Sequence, residues 1–213
     1  MIVDIKPKDV AIIVAHPDDE TLWAGGTILS NPMWNCYVIS VCRGSDVDRA
    51  PKFYKALKEL NSGGIMGDMD DGPEQNPLNI QELEEVILYL LPEKHYDLII
   101  SHNPNGEYTR HLRHEEVSRA VINLWDNNKI STNELRTFAY EDDNKKYYPH
   151  AIKDASIYHE LSQKIWQNKY SILSDIYGFG INSWELQITP RAEAFWQFTN
   201  ILSAKQWLNN GGC

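Results

Sequence analysis

Six consecutive residues, Ala15–Glu20, place an imidazole and three carboxylates next to one another. They read Ala-His-Pro-Asp-Asp-Glu and directly follow the apolar run Val10–Val14. Ionisable groups at this density beside a buried strand cost free energy unless a positive charge pairs with them. The segment therefore predicts a divalent metal site, and a metal site of this kind supports hydrolysis by activated water.

A second polar cluster reads His111-Leu112-Arg113-His114. Two histidines three residues apart can lie on the same side of a helical turn. Catalytic zinc takes three protein ligands, often histidines with a carboxylate, and keeps the fourth position for water. His16, Asp19 and His114 supply such a set from two separate parts of the chain, and we predict them as the metal ligands.

Two further residues are predicted to move protons. Asp18 lies between two of the predicted ligands and could act as the general base, because zinc lowers the pKa of bound water to about 7. His111 lies beside the third ligand and could donate a proton or stabilise a developing oxyanion. Asp18 and His111 are therefore the predicted catalytic residues.

Strand-like and helix-like stretches alternate over the first two thirds of the chain. The predicted strands are Val10–Ala15, Cys36–Cys42, Ile65–Met66, Tyr96–Ser101 and Leu135–Tyr140. The predicted helices are Glu20–Ser30, Ala50–Leu60, Ile80–Leu91 and Glu115–Trp125. This alternation indicates a Rossmann-like α/β fold with a doubly wound, mostly parallel sheet, in which ligands bind outside the carboxyl ends of the strands.

A length of 213 residues fits one domain, 1–213, with a core of about 8–145 and an elaboration of about 150–210. We expect this C-terminal segment to be mostly helical, particularly over 157–172, and it is rich in aromatic residues. Most of the aromatic side chains are expected to pack the segment onto the sheet. A substrate wall, a lid and an interface in a homo-oligomer are the alternatives.

The composition excludes several classes of protein. Hydrophobic residues make up 42% of the chain, which indicates a globular protein, and the net charge of −10 argues against binding to nucleic-acid phosphates. No stretch approaches the 18 or so apolar residues of a membrane span, and Met1–Lys8 lacks the apolar region of a signal peptide. Cys36, Cys42 and Cys213 are expected to be reduced thiols, so we expect a soluble, cytoplasmic protein.

Taken together, these motifs resemble the PIG-L/LmbE-like N-acetylglucosaminyl deacetylases. The resemblance is carried by Ala15–Glu20, by His102–Tyr108 (His-Asn-Pro-Asn-Gly-Glu-Tyr) and by the pair His111 and His114, and it spans residues 10 to about 125 in the right order. It implies that His16, Asp19 and His114 bind zinc, that Asp18 is the general base and that His111 helps to stabilise the tetrahedral intermediate. It also implies removal of acetyl groups from N-acetylglucosamine-type amines.

One position departs from the family pattern. The family often carries an aspartate immediately before the metal-binding histidine, and this chain has Arg113 there. If that aspartate orients the assisting histidine, another carboxylate must orient His111 here. Glu107, Glu115 and Glu116 are the predicted replacements.

Three residues are candidates for substrate contacts. Arg43 follows the second predicted strand, and Asn103 and Tyr108 follow the third. Ordinary surface charge for Arg43 and core packing for Tyr108 are the competing interpretations. His102 is expected to support the site rather than bind the metal. Asp68, Asp70 and Asp71 are expected to lie in a solvated acidic loop, with a supporting contact to the site or a contact to a sugar as the alternative.

The leading interpretation is a metal-dependent hydrolase that removes an acetyl group from an N-acetylglucosamine-type sugar or sugar conjugate. Zinc (Zn²⁺) is the expected cofactor, with Fe²⁺ and other divalent ions as alternatives. An amidase that acts on a larger N-acyl group or a thiol–sugar conjugate would use the same site. A non-enzymatic Rossmann-like binding module is a third interpretation, although no GxGxxG motif follows the first strand. Two-metal phosphoester hydrolysis would require more ligands in one cluster.

Overall fold

A computed structural model describes residues 7–108 and 110–212. The residues before 7, which were expected to lack a signal peptide, and Cys213, which was expected to be a reduced thiol, lie outside these ranges. The strands are β1 (Lys8–Val14), β2 (Trp34–Cys42), β3 (Gly63–Met69), β4 (His95–Tyr96), β5 (Leu98–Ser101), β6 (Ser131–Thr132), β7 (Leu135–Phe138), β8 (Tyr140–Glu141), β9 (His150–Ala151), β10 (Ile157–Glu160) and β11 (Ala192–Phe198). The helices are α1 (Asp19–Ser30), α2 (Arg49–Glu59), α3 (Ile80–Leu90), α4 (Leu112–Asp126), α5 (Gln163–Ser171), α6 (Trp184–Ile188) and α7 (Ile201–Asn209), with a π-helical turn at Ile172–Ile176.

Seven strands form the central sheet in the order β10-β11-β7-β5-β1-β2-β3. The five strands from β7 to β3 pair in parallel, while β11 and β10 pair in an antiparallel manner at one edge. The predicted α/β fold with a mostly parallel sheet is therefore confirmed. The strand order reverses at β1, which has β2 on one side and β5 on the other, and the ends of β1 and β5 form the crevice where such sheets bind ligands.

Strand β1 lies at the centre of the core. Residues from Val10 to Ala15 are completely buried, and their side chains alternate between two apolar layers on opposite faces of the sheet. One layer contains Leu22 of α1 and Phe53 of α2, and the other contains Leu83 of α3 and Val117 of α4. Burial on both faces explains why the sequence of β1 is continuously apolar rather than alternating.

The C-terminal segment differs in part from the predicted helical elaboration. Residues 157–160 form β10, which pairs with β11 and extends the sheet, and the helix begins only at Gln163. The side chain of Ser162 caps that helix by accepting a hydrogen bond from the Ile165 backbone N–H at 3.3 Å. The helical prediction for 157–172 was therefore wrong for 157–160. It did not take account of the cap at Ser162 or of β11, whose second edge is available to pair with β10.

Two predictions from the sequence concern the cysteines and membrane-spanning segments. Cys36 and Cys42 are buried free thiols. Within residues 7–108 and 110–212, no helix combines the length and the apolar character that crossing a bilayer requires.

Candidate metal centre

Three ligand atoms form a nearly equilateral triangle at the end of β1. Nδ1 of His16 lies 3.1 Å from Oδ2 of Asp19, and Nε2 of His114 lies 3.3 Å from each of these two atoms. Ligands about 2.0–2.1 Å from a tetrahedral zinc ion are about 3.3 Å from one another. The donor set and its spacing therefore fit three corners of a tetrahedral metal site.

Separate elements bring these three residues together. His16 lies two residues beyond the end of β1, and Asp19 is the first residue of α1. His114 lies in the first turn of α4, which follows the loop after β5. Because β1 and β5 are neighbours in the sheet, the loops that follow them converge on one point.

His16 has a carboxylate on the side of its ring opposite the triangle. Nε2 of His16 lies 3.2 Å from Oδ1 of Asp71, and Oδ2 of Asp71 accepts a hydrogen bond from Nε of Arg43 at 2.8 Å. Burial raises the pKa of Asp71, but its bonds to His16 and Arg43 outweigh burial and hold the pKa below its ordinary value. The expectation that this acidic loop is solvated is thus wrong for Asp71, whose contact with Nε2 leaves Nδ1 of His16 directed towards Asp19 and His114.

His114 is oriented in the same way by Glu107. Oε2 of Glu107 lies 2.5 Å from Nδ1 of His114 and 2.9 Å from Nδ1 of His102. Burial raises the pKa of Glu107, yet the two imidazoles lower it to about 2. This carboxylate therefore leaves Nε2 of His114 directed into the triangle.

His102 is close to the triangle but is not suited to bind the metal. Its Nε2 accepts a hydrogen bond from the Ala15 backbone N–H at 2.9 Å, which occupies the lone pair that a metal would need. Its ring stacks on that of His114 with centroids 3.9 Å apart. This placement agrees with the supporting position expected for His102.

Asp18 lies at the rim of the triangle in an unusual backbone conformation. Its φ is 113°, a value that costs a non-glycine residue free energy and is typical of functional sites. The backbone N–H of Asp18 donates to Oε2 of Glu20 at 3.0 Å, which holds this conformation. Burial, followed by the negative charge of Asp19, raises the pKa of Asp18 well above its ordinary value, while Arg49 at 2.8 Å opposes that shift.

His111 stacks on His114, with ring centroids 4.3 Å apart and an interplanar angle of 21°. Its ring also contacts the His16 ring edge-on at 4.7 Å. Burial and the neighbouring His114 lower the pKa of His111 to about 3, which favours the neutral imidazole. Its Nδ1 is buried and has no hydrogen-bond partner among the described residues.

The prediction that a glutamate orients His111 is wrong. Glu107 binds His102 and His114. Glu115 pairs with Arg110, and Glu116 pairs with Arg113. Ring packing, rather than a carboxylate, therefore sets the orientation of His111.

Arg113 has a different function from the aspartate that the family often carries at this position. Its guanidinium is completely buried and donates to the backbone carbonyls of Asp70 at 2.6 Å and Asn76 at 2.9 Å. It also donates to Oε2 of Glu116 at 2.6 Å. Arg113 thus ties the loop that carries Asp71 to the helix that carries His114.

A cleft of about 150 Å³ opens beside the triangle. Among the predicted site residues, His16, Asp18, Asp19, Arg43, Tyr108 and His111 line it. Asn103 and His114 do not line it, because both are buried; Asn103 accepts a hydrogen bond from Nε1 of Trp207 at 2.8 Å. The cleft is also lined by Trp184 and Glu185 of α6. Trp184 belongs to the aromatic C-terminal segment for which a substrate wall was one of the alternatives, whereas Glu185 was not predicted because no local motif connects this distant short helix with β1.

Comparisons with known proteins find one relative by sequence and several solved structures of the same fold. No family model matches the chain. An uncharacterized protein of Acanthamoeba polyphaga mimivirus, L374, is 27% identical over 181 residues, covering 78% of this chain and 76% of that protein.

Solved structures show the same fold at low sequence identity. N,N'-diacetylchitobiose deacetylase from Pyrococcus horikoshii superposes with a TM-score of 0.67 at 15% identity, covering 90% of this chain and 84% of that chain. The zinc-inhibited form of a teicoplanin deacetylase gives 0.60 at 13% identity, with coverage of 84% and 88%. GalB, a 4-carboxy-2-hydroxymuconate hydratase from Pseudomonas putida, gives 0.59 at 14% identity, with coverage of 91% and 97%. The resemblance that the motifs indicate is therefore confirmed at the level of the fold, which this chain shares with the LmbE-like deacetylases.

Proposed function

We propose that the protein is a metal-dependent hydrolase that removes an acetyl group from an N-acetylglucosamine-type sugar or sugar conjugate. The observation that carries this proposal is the triangle of His16, Asp19 and His114 with the carboxylate of Asp18 at its rim. Deacetylases among the proteins of the same fold support it.

The metal would be held by the three triangle residues, and when bound it supplies Lewis-acid polarisation of the acyl carbonyl and of water. Asp18 takes a proton from the attacking water as the new C–O bond forms. Burial and the charge of Asp19 raise the pKa of Asp18, which favours uptake of this proton. Asp18 then gives the proton to the amine nitrogen as the C–N bond breaks, and acetate leaves.

His111 has the properties of a hydrogen-bond donor rather than of an acid in this scheme. A neutral imidazole carries one N–H, and that of His111 can stabilise the negative charge that develops on the carbonyl oxygen. Asp18, which took the proton from water, is the first choice for returning it to the amine, and His111 is the alternative.

We propose zinc as the metal because two imidazoles and one carboxylate are a common zinc ligand set. Fe²⁺ and other divalent ions suit the same ligands, and availability sets the metal in cells. Since one of the deacetylases with this fold has a zinc-inhibited form, Zn²⁺ and Fe²⁺ should be compared directly after reconstitution.

Hydration of a double bond is the second candidate function, because GalB is a hydratase with the same fold. The substrate in the name of GalB carries carboxylates, and a site for such a substrate would need arginine or lysine side chains that are not already paired with acidic residues. Both arginines of the present cleft already pair with carboxylates, Arg43 with Asp71 and Arg49 with Asp18. The cleft therefore favours the uncharged acetamido group.

The test is an assay for free amine on a panel of N-acetylated amino sugars and their conjugates. We expect the metal-loaded protein to release amine and acetate in equal amounts, and chelation to stop the reaction. Replacing Asp18 with asparagine is expected to lower the rate by about 10²–10⁴. Asp48→Asn is the matched control, because Asp48 is exposed and pairs only with Lys52 among the described residues.

Two results would contradict the proposed function. Full activity after chelation would exclude a metal-dependent reaction. Stoichiometric metal with no amine from any N-acyl substrate would favour the binding module or the hydratase.

A further inference from the structure

Two aromatic residues directly follow the π-helical turn of the C-terminal segment. They are Tyr177 and Phe179, and Gly178 lies between them with a φ of 78°, a left-handed conformation that suits glycine. The two rings stack with centroids 6.1 Å apart. The backbone N–H of Phe179 donates to the carbonyl of Leu173 at 3.2 Å. The 177–179 segment is thus tied to the turn and holds its two rings in a fixed relation to each other.

Tyr177 supports the backbone of Asp18 through Glu20. The hydroxyl of Tyr177 donates to Oε1 of Glu20 at 2.8 Å, and Oε2 of the same carboxylate accepts the backbone N–H of Asp18 at 3.0 Å. Glu20 is completely buried and Tyr177 is 2% exposed, so water does not compete for these bonds. Because a φ of 113° is costly for Asp18, its backbone keeps this conformation only while such contacts hold it.

Phe179 supports the side chain of Asp18 through Arg49. The ring of Phe179 packs against the guanidinium of Arg49, whose central carbon lies 4.9 Å from the ring centroid. Nη1 of Arg49 donates to Oδ2 of Asp18 at 2.8 Å. The packing restrains the arginine, and the arginine restrains the carboxylate. The backbone and the carboxylate of Asp18 are therefore each connected to one residue of the 177–179 segment.

Packing onto the sheet explains only part of this arrangement. A phenylalanine at position 177 would fill the apolar layer as tyrosine does, but it would deprive Oε1 of Glu20 of a hydroxyl donor. Phe179 is only half-buried, and its ring contacts a charged group. Both side chains thus contact the groups that hold Asp18 as well as the core.

We propose that Tyr177 and Phe179 are positioning residues for Asp18, the general base of the proposed reaction. The inference rests on the proposed function for the role of Asp18. A base acts only within hydrogen-bond reach of the attacking water, and a displacement of about 1 Å can lower a rate about 10²-fold. A part of the chain that is distant in sequence therefore sets the catalytic geometry of the first motif.

Tyr177→Phe removes only the hydroxyl and tests this connection in the metal-loaded full chain. We expect kcat for amine release from N-acetylglucosamine to fall about tenfold, with KM and metal content unchanged. Phe179→Leu should lower kcat about twofold to fivefold through Arg49. In an Asp18→Asn background, both substitutions should change the residual rate by less than about twofold, because the group that they position is already lost.

Tyr96→Phe is the matched control. Tyr96 is also buried, and its hydroxyl donates to the Pro92 carbonyl at 2.7 Å. It lies in β4, directly before β5, whereas the candidate metal centre lies beyond the other end of β5. This variant should lose a comparable hydrogen bond without any change in kcat.

Hydrogen exchange of the Asp18 backbone N–H, measured by NMR, gives a result that does not depend on activity. The exchange should be about threefold to tenfold faster in Tyr177→Phe than in wild type, because Glu20 holds this N–H less firmly. Tyr96→Phe should exchange at the wild-type rate. If Tyr177→Phe fails to fold, the kinetic comparison of Phe179→Leu with its Asp18→Asn double variant decides alone.

An unchanged exchange rate at Asp18, an unchanged kcat in both segment variants, or a loss of the same size in the Asp18→Asn background would overturn the inference. Amine release by wild type alongside any of these results would leave the proposed function intact. Faster exchange at Asp18 in Tyr177→Phe, without amine release from any chain, would instead support the positioning contact and contradict the proposed function.

Discussion

The carboxylate of Asp71 lies 3.2 Å from Nε2 of His16, on the side of the imidazole opposite the nitrogen that faces Asp19 and His114. This contact fixes the tautomer and the ring orientation of a predicted metal ligand. It comes from the loop after β3, far in sequence from the motif that it supports. The candidate metal centre therefore depends on a third segment of the chain besides the two polar clusters.

Asp71→Ala should weaken metal binding by about 10- to 100-fold, because His16 would lose the group that orients it. A competition titration with a chromophoric chelator measures this change in Kd. Glu74→Ala is the control, since Glu74 is exposed in the same loop. Wild-type affinity in Asp71→Ala would show that His16 does not need this partner.

Arg113→Met should weaken metal binding in the same assay, although Arg113 does not contact the triangle. The expected cause is loss of its bonds to the Asp70 and Asn76 carbonyls, which hold the loop that carries Asp71. Arg119→Met, on the exposed face of α4, should have no effect on metal binding. The double variant Arg113→Met and Asp71→Ala should lose less free energy of metal binding than the sum of the two single losses, because both substitutions act through His16. Losses that add up in full would refute this connection.

Gly25 and Gly26 should respond in opposite ways to alanine. A β-carbon at position 26 would lie 2.5 Å from both δ-carbons of Leu161 and 2.9 Å from Oε1 of Glu193, so Gly26→Ala should reduce the free energy of unfolding by about 1–3 kcal/mol. At position 25 the nearest atom is 3.4 Å away, so Gly25→Ala should be neutral or stabilise by up to about 1 kcal/mol. Urea unfolding of the two variants checks this difference, and equal effects would contradict it.

Lys169 and Glu193 form a completely buried ion pair at 2.7 Å between α5 and β11. Glu193 also accepts hydrogen bonds from the backbone N–H groups of Gly26 and Thr27, at 2.7 and 2.6 Å. Lys169→Met should lower the free energy of unfolding by about 3–5 kcal/mol at neutral pH, because it leaves the Glu193 carboxylate buried without its cation. Replacing Glu193 with glutamine in the same chain should recover part of this loss.

The stabilising contribution of Lys169 should increase with pH. Burial lowers the pKa of Lys169 more than Glu193 raises it, so the unfolded chain binds this proton more tightly than the folded chain. Stability then rises with pH between the lowered pKa and the ordinary pKa near 10.5. The difference in unfolding free energy between wild type and Lys169→Met should therefore grow as the pH is raised from 7 towards 10, and a constant or shrinking difference would contradict this sign.

The parts of the fold and site that lie next to strand ends could be predicted from the sequence. The apolar run before His16 and that before His102 define neighbouring parallel strands, and the polar residues that follow them must then lie close together. Asp71 could not be found in this way, because its contact with His16 depends on the path of a long loop. The orientation of His111 could not be predicted either, because it is set by ring packing and no local sequence pattern indicates such packing.

The C-terminal segment was predicted least well for a related reason. Strand β10 is stable because it pairs with β11, more than 30 residues away, and its four residues carry no strong pattern of their own. The proximity of Trp184 to the cleft has a similar origin, since α6 reaches the site only through tertiary packing. Such long-range relationships are set by the whole fold rather than by periodicity.

We propose that His16, Asp19 and His114 together hold one metal ion. The metal content of purified chains, after reconstitution and removal of free metal, tests this most directly, with His111→Ala as the neighbouring control. We expect about one ion per chain for wild type and for His111→Ala, and little or none after alanine replaces His16, Asp19 or His114. Full metal content in any of those three variants, or loss of metal in His111→Ala, would contradict it.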